Sequence, residues 1–254
     1  MTDPAFEETR LLDGRVICYQ PASGYRSAID PVLLQAAVPA GDGDRVLDLG
    51  CGVGSAALCL AARVPGAWVM GLDQLAPLVD AANQSATASR LADRVAFHLG
   101  DLLVPPAMIA AGGFDHVMAN PPFRKAGTSR PSPDAVKAAA TVEGKATLAD
   151  WVSAAVDLVA PGGTVTVIHH GGRAEELRTL MAARLGGLAI LPIVAKRGDG
   201  RPGRVLIQGR LGAPAAERCL PPLVLHESGG AYTETADAIL RGRAAIDMAG
   251  GGAT

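Results

Sequence analysis

The chain has 254 residues, 49% hydrophobic and only 4% aromatic, enough to bury the core of one domain with appendages. Its 23 Lys and Arg against 25 Asp and Glu give a formal net charge of −2, which excludes a globally basic nucleic-acid binder and leaves room only for a local patch. There is no apolar run of transmembrane length, no basic and apolar leader, and no C-x-x-C pair among Cys18, Cys51, Cys59 and Cys219; a cytoplasmic protein with free buried thiols, no membrane partner and no metal is expected.

Along the chain, residues 9–20 predict a hairpin turning at Asp13-Gly14, a pair suited to a type I′ turn. A helix should follow Asp30-Pro31, with Asp30 as N-cap and Pro31 at the first helical position, stopping before Pro39. From Asp44 onward, short apolar runs alternate with longer helical ones, the pattern of an α/β fold with a parallel sheet and crossover helices. Seven strands are expected near 45–49, 68–72, 94–98, 115–119, 163–168, 188–193 and 204–210. Helices are expected near 55–63, 75–89, 147–159 and 174–184. A long loop from 123 to about 146 carries Pro131, Pro133 and several basic residues, and such loops at the carboxyl edge of a sheet tend to serve function. After residue 213 one strand-like run, 223–227, and a helix near 233–243 precede an end expected to be flexible. The organisation predicted is an N-terminal hairpin and helix (1–43), a catalytic domain (44–212) and a C-terminal extension (213–254).

The first chemical signal is the glycine turn Gly50-Cys51-Gly52-Val53-Gly54 after the first strand of the sheet. In open α/β sheets ligands bind beyond the carboxyl ends of the strands, and side chains in this turn would keep a nucleoside from the backbone. The G-x-G-x-G spacing favours S-adenosylmethionine over a dinucleotide, because Ser55 occupies the third dinucleotide position. Asp48 ends strand one and can reach the cofactor's ammonium, directly or through water. Asp73 ends strand two and can accept both ribose hydroxyls; Asp101 follows strand three and can accept from the adenine amine. Each aspartate alone would also suit a helix N-cap, but three at successive strand ends favour the ligand.

The second signal is Asn120-Pro121-Pro122-Phe123, which closes the strand Phe114 to Ala119. The Asn120 side-chain oxygen and the Pro121 carbonyl can each accept an N–H of a planar amine or amide, aiming its lone pair at an electrophilic methyl. Pro121 holds Asn120 extended, Pro122 adds rigidity, and Phe123 offers a face for stacking. The alternative is a plain Asn-Pro-Pro turn ending a strand.

With both signals present, the chain resembles the Rossmann-like N-P-P-[FY] methyltransferases, and within them the bacterial tRNA(Val) adenine-N6 methyltransferase family, over roughly residues 10–245. Further elements of the likeness are Gly24 to Leu34, with Ala28-Ile29 where the family has Gly-Thr, the Arg204-Val205-Leu206-Ile207 strand and the Tyr232-Thr233-Glu234 tail. The resemblance implies a seven-stranded Rossmann-like methyltransferase fold with an N-terminal hairpin and a short C-terminal extension. It also implies methionine-end contacts for Arg26 and Asp30, and tRNA methylated next to the anticodon.

Local basic residues suit an RNA substrate: Arg124, Lys125, Arg130 and Lys137 in the long loop, and Lys196, Arg197, Arg201, Arg204 and Arg210 in the last hairpin. Each is expected either at RNA phosphates near the mouth of the site or as a solvated surface charge. His169-His170 are expected to be ordinary loop histidines. Competing readings are guanine-N2 methylation of ribosomal RNA and glutamine methylation of release factors, the latter disfavoured by the short hairpin segment before the glycine turn. DNA adenine methylation, a NAD-binding oxidoreductase and a non-catalytic RNA-binding protein stand further off.

Overall fold

The computed structural model describes residues 6–22, 29–123 and 143–250. Arg26, Arg124, Lys125, Arg130, Lys137 and the last four residues lie outside the described residues, so the expectations placed on them are not addressed by the structure.

The hairpin pairs β1 (Phe6–Leu11) with β2 (Val16–Pro21) antiparallel, Leu11 opposite Val16. Asp13 and Gly14 both have positive φ, 55° and 85°, as a type I′ turn demands. Unpaired main-chain groups of β2 are met by side chains of helix α3 (Ala76–Ala88) and its cap: Ile17 N–H donates to Ser89 Oγ and Tyr19 N–H to Ser85 Oγ, both at 2.9 Å.

Helix α1 (Asp30–Ala36) is capped at Ile29 without a side-chain bond, which corrects the expected Asp30 N-cap. The Asp30 carboxylate instead accepts from Arg204 Nε at 2.9 Å. The sheet then alternates with helices: β3 (Arg45–Leu49), α2 (Ser55–Arg63), β4 (Trp68–Asp73), α3, β5 (Val95–Leu99), α4 (Ala107–Ala110) and β6 (Phe114–Ala119). After the long loop come α5 (Leu148–Leu158), β7 (Val159–His170), α6 (Ala174–Ala182), β8 (Gly186–Lys196) and β9 (Arg204–Arg210). β10 (Glu217–Cys219), β11 (Leu223–His226) and α7 (Glu234–Leu240) complete the described elements.

The seven expected strands lie in the order β5-β4-β3-β6-β7-β9-β8, parallel except for β9, which runs antiparallel to both neighbours. β10 and β11 add to the outer edge of β8, both parallel to it, making nine strands. Central strands such as β3 are buried on both faces, as a parallel sheet covered by helices requires. One apolar layer joins α1 and α2 to the sheet, and the other joins α5 and α6 to its opposite face. Helix α5 starts with a reciprocal box between Thr147 and Asp150. β7 begins earlier than expected because Phe114 pairs with Val159 and His116 with Thr164, a bulge that absorbs Pro161-Gly162-Gly163. Among the described residues no helix is long and apolar enough to cross a membrane. Cys18, Cys51 and Cys59 are buried free thiols, whereas Cys219, on the outermost strand, is exposed.

Candidate active site

The turn after β3 is pinned to β4, since Gly50 and Cys51 N–H both donate to the Leu72 carbonyl at 2.8 and 3.0 Å. All three glycines have positive φ, but they are glycines for different reasons. A Cβ on Gly50 would strike the Trp151 ring, and one on Gly54 the Phe97 ring. Only Gly52 has open space on that side. The expectation that all three clear space for a nucleoside therefore narrows to Gly52, with the other two set by left-handed backbone and aromatic packing.

A cavity opens at this turn, lined by Asp48, Gly50, Gly52, Asp73, Gly100, Asp101, Asn120 and Pro122, with Pro21 of the hairpin and Lys145 and Trp151 from the far side of the long loop. Asp48 is 2% exposed; one carboxylate oxygen accepts Ala57 N–H at 3.2 Å, in the first turn of α2. Burial pushes its carboxyl up to about 7, and the nearby Asp73 charge adds to the rise. Asp73 accepts Gly52 N–H on one oxygen and Leu75 N–H on the other, each at 2.9 Å, and burial raises its pKa against those bonds. Asp101 accepts Leu103 N–H at 2.9 Å. Every one of these oxygens keeps a second lone pair for a ligand donor. None of the three aspartates is a helix N-cap, since α2, α3 and α4 are capped at Gly54, Leu75 and Pro106 without a side-chain bond; the carboxylates brace the turns around the cavity from outside the caps.

Asn120 lines the same cavity, and its Oδ1 is buried with no hydrogen-bond partner among the described residues. A buried unpaired amide oxygen is costly, and an incoming N–H would relieve it. Pro122 O accepts from His169 Nε2 at 3.3 Å. A carbonyl only accepts, so this contact needs the Nε2–H tautomer, and burial holds the His169 pKa down to about 4, keeping the ring neutral. Phe123 meets His169 edge-on at 5.3 Å between ring centroids, and the Arg204 guanidinium lies 4.9 Å over the Phe123 ring. One face of Phe123 is therefore taken by a cation that is itself paired with Asp30. Asp30 and Arg204, expected at cofactor and substrate respectively, are joined to each other, and Pro31 rather than Asp30 meets the cavity.

His169 is the residue the sequence reading missed. It sits in β7, fully buried, not in a loop. His170 is exposed, and its Nδ1 accepts Gly172 N–H. Arg210 is also misplaced by the sequence reading. It ends antiparallel β9 opposite Thr164, at the amino edge of the sheet, where its guanidinium meets the Gly162 carbonyl, away from the site. Arg201 is exposed in the β8–β9 turn on the carboxyl edge.

Comparison with known proteins bears on the family and the fold. The methyltransferase small domain model matches residues 29–186. A tRNA1(Val) (adenine(37)-N6)-methyltransferase of Porphyromonas gingivalis is 31% identical over 84% of this chain and 86% of its own length. A release factor glutamine methyltransferase of Chlorobaculum tepidum is 36% identical, over only 36% of this chain and 31% of its own. A solved structure from Agrobacterium tumefaciens, described as a predicted O-methyltransferase, superposes with a TM-score of 0.70 at 25% identity, covering 85% of this chain and 97% of that one. The chain belongs to the methyltransferase small domain family of S-adenosylmethionine-dependent enzymes, in which it is similar over most of its length to the tRNA1(Val) (adenine(37)-N6)-methyltransferases.

Proposed function

We propose that this protein methylates the exocyclic N6 amine of an adenine in RNA, with tRNA(Val) next to the anticodon as the foremost substrate. The observation that carries the reading is the unpartnered Asn120 Oδ1 in the cavity wall. S-adenosylmethionine supplies the electrophilic methyl group when bound. Gly52, open on its cavity side, with Asp48, Asp73 and Asp101, would hold it: Asp48 the ammonium, Asp73 the ribose hydroxyls, Asp101 the adenine amine.

An aryl amine has a delocalised lone pair and is a poor nucleophile. Accepting its two N–H bonds at Asn120 Oδ1 and the Pro121 carbonyl favours the pyramidal nitrogen of the transition state. No strong general base is needed, because the methylated nitrogen is acidic. His169, neutral and bonded to Pro122, keeps the tetrad's main chain in place rather than taking the proton. Arg204 against one face of Phe123 leaves the other for a base, which would then be stacked on a ring already polarised by a cation.

The glutamine reading is supported by the Chlorobaculum tepidum relative, but that similarity covers only the part of the fold shared by these enzymes. Offering labelled S-adenosylmethionine with total tRNA, ribosomal RNA and release factors in separate reactions, then identifying the methylated atom by mass analysis, decides between them. Label in N6-methyladenine of tRNA is expected; label in glutamine or guanine would overturn the proposal. Asn120→Ala should abolish transfer while cofactor affinity by calorimetry stays near wild type.

A further inference from the structure

We infer a second base-binding platform at Tyr232 and His226, which stacks an unpaired nucleotide flanking the one that is methylated. This rests on the RNA reading above and extends it to a surface outside the cavity.

The topology places the platform. β8 runs parallel to β6, so its end at Lys196 points to the same edge as Asn120. β11 is parallel to β8, with Leu223 opposite Ile193 and His226 opposite Lys196, and Ile193 is in turn opposite Arg204. Two strand spacings thus separate β11 from the strand that supports Phe123 through Arg204, roughly 10 Å along the sheet, and His226 rises about 10 Å beyond the level of Arg204. A few nucleotides of single strand would cover that path.

The surface has the two properties that sequence-tolerant binding of single strands needs: an aromatic face and cations beside it. The Tyr232 ring is stacked on His226, 4.7 Å between centroids with planes 22° apart, and Tyr232 is 41% exposed. Turn closure accounts for His226, whose Nδ1 meets the Gly230 carbonyl at 3.1 Å. It does not account for an exposed phenol in a chain that is only 4% aromatic. Trp68, the other exposed aromatic among the described residues, begins β4 at the amino edge. Lys196, Arg197 and Arg201 are exposed in the adjoining turn, and the one acid there, Asp199, is directed to the Lys196 N–H at 2.8 Å. Glu227 and Glu234 line a groove with Arg197 beside the platform, so the attraction is local to the β8–β9 turn.

The test uses the full chain, labelled S-adenosylmethionine and pooled unmodified tRNA transcripts, comparing wild type, Tyr232→Ala and Tyr232→Phe. Tyr232→Ala should raise KM for RNA roughly 5- to 100-fold, the loss expected for one stacked base. Its kcat at saturating RNA and its calorimetric affinity for S-adenosylmethionine should match wild type, and Tyr232→Phe should behave as wild type throughout. The Tyr232→Ala defect should persist across salt concentrations, whereas Arg197→Ala should flatten the salt dependence. A wild-type KM in Tyr232→Ala, with RNA methylated normally, overturns the platform and leaves the RNA reading standing. No methylation of RNA by the wild-type protein overturns both. Equal loss in Tyr232→Phe and Tyr232→Ala with a lowered Tm would make the pair a structural clamp, and a KM defect confined to a release-factor substrate would make it a protein-docking surface; either overturns the proposal.

Discussion

At the scale of single residues, the site uses carboxylates held against their own preference. Asp48 is buried, and its pKa near 7 means the folded protein pays to keep it charged at neutral pH. The sign follows from linkage. The folded pKa is raised above the ordinary 3.8, so Asp48 favours the folded state fully at low pH, and that contribution is lost as pH rises through about 7. Asn at this position mimics the neutral form and keeps an oxygen for Ala57 N–H. Asp48→Asn is therefore expected to be more stable than wild type, by several degrees in Tm above pH 7, with the gain shrinking as pH falls toward 4. Cofactor binding should move the other way. Losing the charged acceptor for an ammonium costs about 1.5–3 kcal/mol, roughly 10- to 100-fold in Kd. Wild-type affinity should strengthen as pH rises through about 7, a trend the variant lacks. Thermal melts and calorimetry across pH check both, and identical pH profiles for the two proteins would show that Asp48 does not carry the ammonium.

At the scale of elements, the segment entering α5 is fixed by an ion pair withdrawn from water. Arg173 Nη1 lies 2.7 Å from Glu143, with side chains 10% and 8% exposed, and Glu143 also accepts Leu148 N–H at 3.1 Å in the first turn of α5. Arg173 has a second partner in Glu176 at 2.8 Å. The two halves of the pair are therefore unequal. Arg173→Ala strands a buried carboxylate and should cost about 3 kcal/mol or more, whereas Glu143→Gln leaves Arg173 paired and should cost about 1 kcal/mol. Urea unfolding measures both, and equal costs would show that Glu143 is hydrated. Lys145 and Trp151 line the cavity from this segment, so Arg173→Ala should also weaken cofactor binding. Legibility divides at the same scale. The main strands and the tetrad were readable because buried parallel strands are short, mostly apolar runs that stop at a turn residue, Gly50 after β3, Asp73 in β4, Gly100 after β5 and Asn120-Pro121 after β6. β10 was not, since Glu217-Arg218-Cys219 is exposed throughout and is a strand only because β8 offers an edge. Arg210 was misread because six residues along an antiparallel strand carry a side chain about 20 Å to the opposite edge, which charge clustering in sequence does not register. His169 looked like a loop residue because its partners, the Pro122 carbonyl and the Phe123 ring, come from a strand end 46 residues earlier in the case of Phe123.

At the scale of the whole molecule, the two ends of the described chain fasten each other and, through the hairpin, the cavity. Arg15, at the hairpin turn, donates to the Leu12, Arg241 and Gly242 carbonyls at 3.2, 3.1 and 2.8 Å, joining β2 to the end of α7. Gly242 has a φ of 66°, and a Cβ there would collide with the Arg15 guanidinium, so the close approach needs glycine. Ile246 N–H donates to the Ala36 carbonyl at 2.8 Å, which ties the same segment to α1. A second link, Arg241 to Asp13 at 2.8 Å, is between side chains 49% and 46% exposed. Magnitudes separate the two. Arg15 is exposed as well, so its advantage lies in number: an exposed ion pair is worth about 0–1 kcal/mol, whereas three bonds to main-chain carbonyls, one of them part-buried, are together worth about 1–2 kcal/mol. Arg15→Ala should therefore destabilise clearly, and Arg241→Ala barely. Hydrogen exchange supplies the sharper reading. In Arg15→Ala, protection should fall in residues 16–21 and 234–246 together, because one side chain holds both, and Pro21 at the cavity wall makes a modest loss of cofactor affinity follow. If the hairpin loosens while the α7 segment keeps its protection, the Ala36–Ile246 bond and the apolar contacts of α7 hold the extension by themselves, and the ends of the chain are independent of each other.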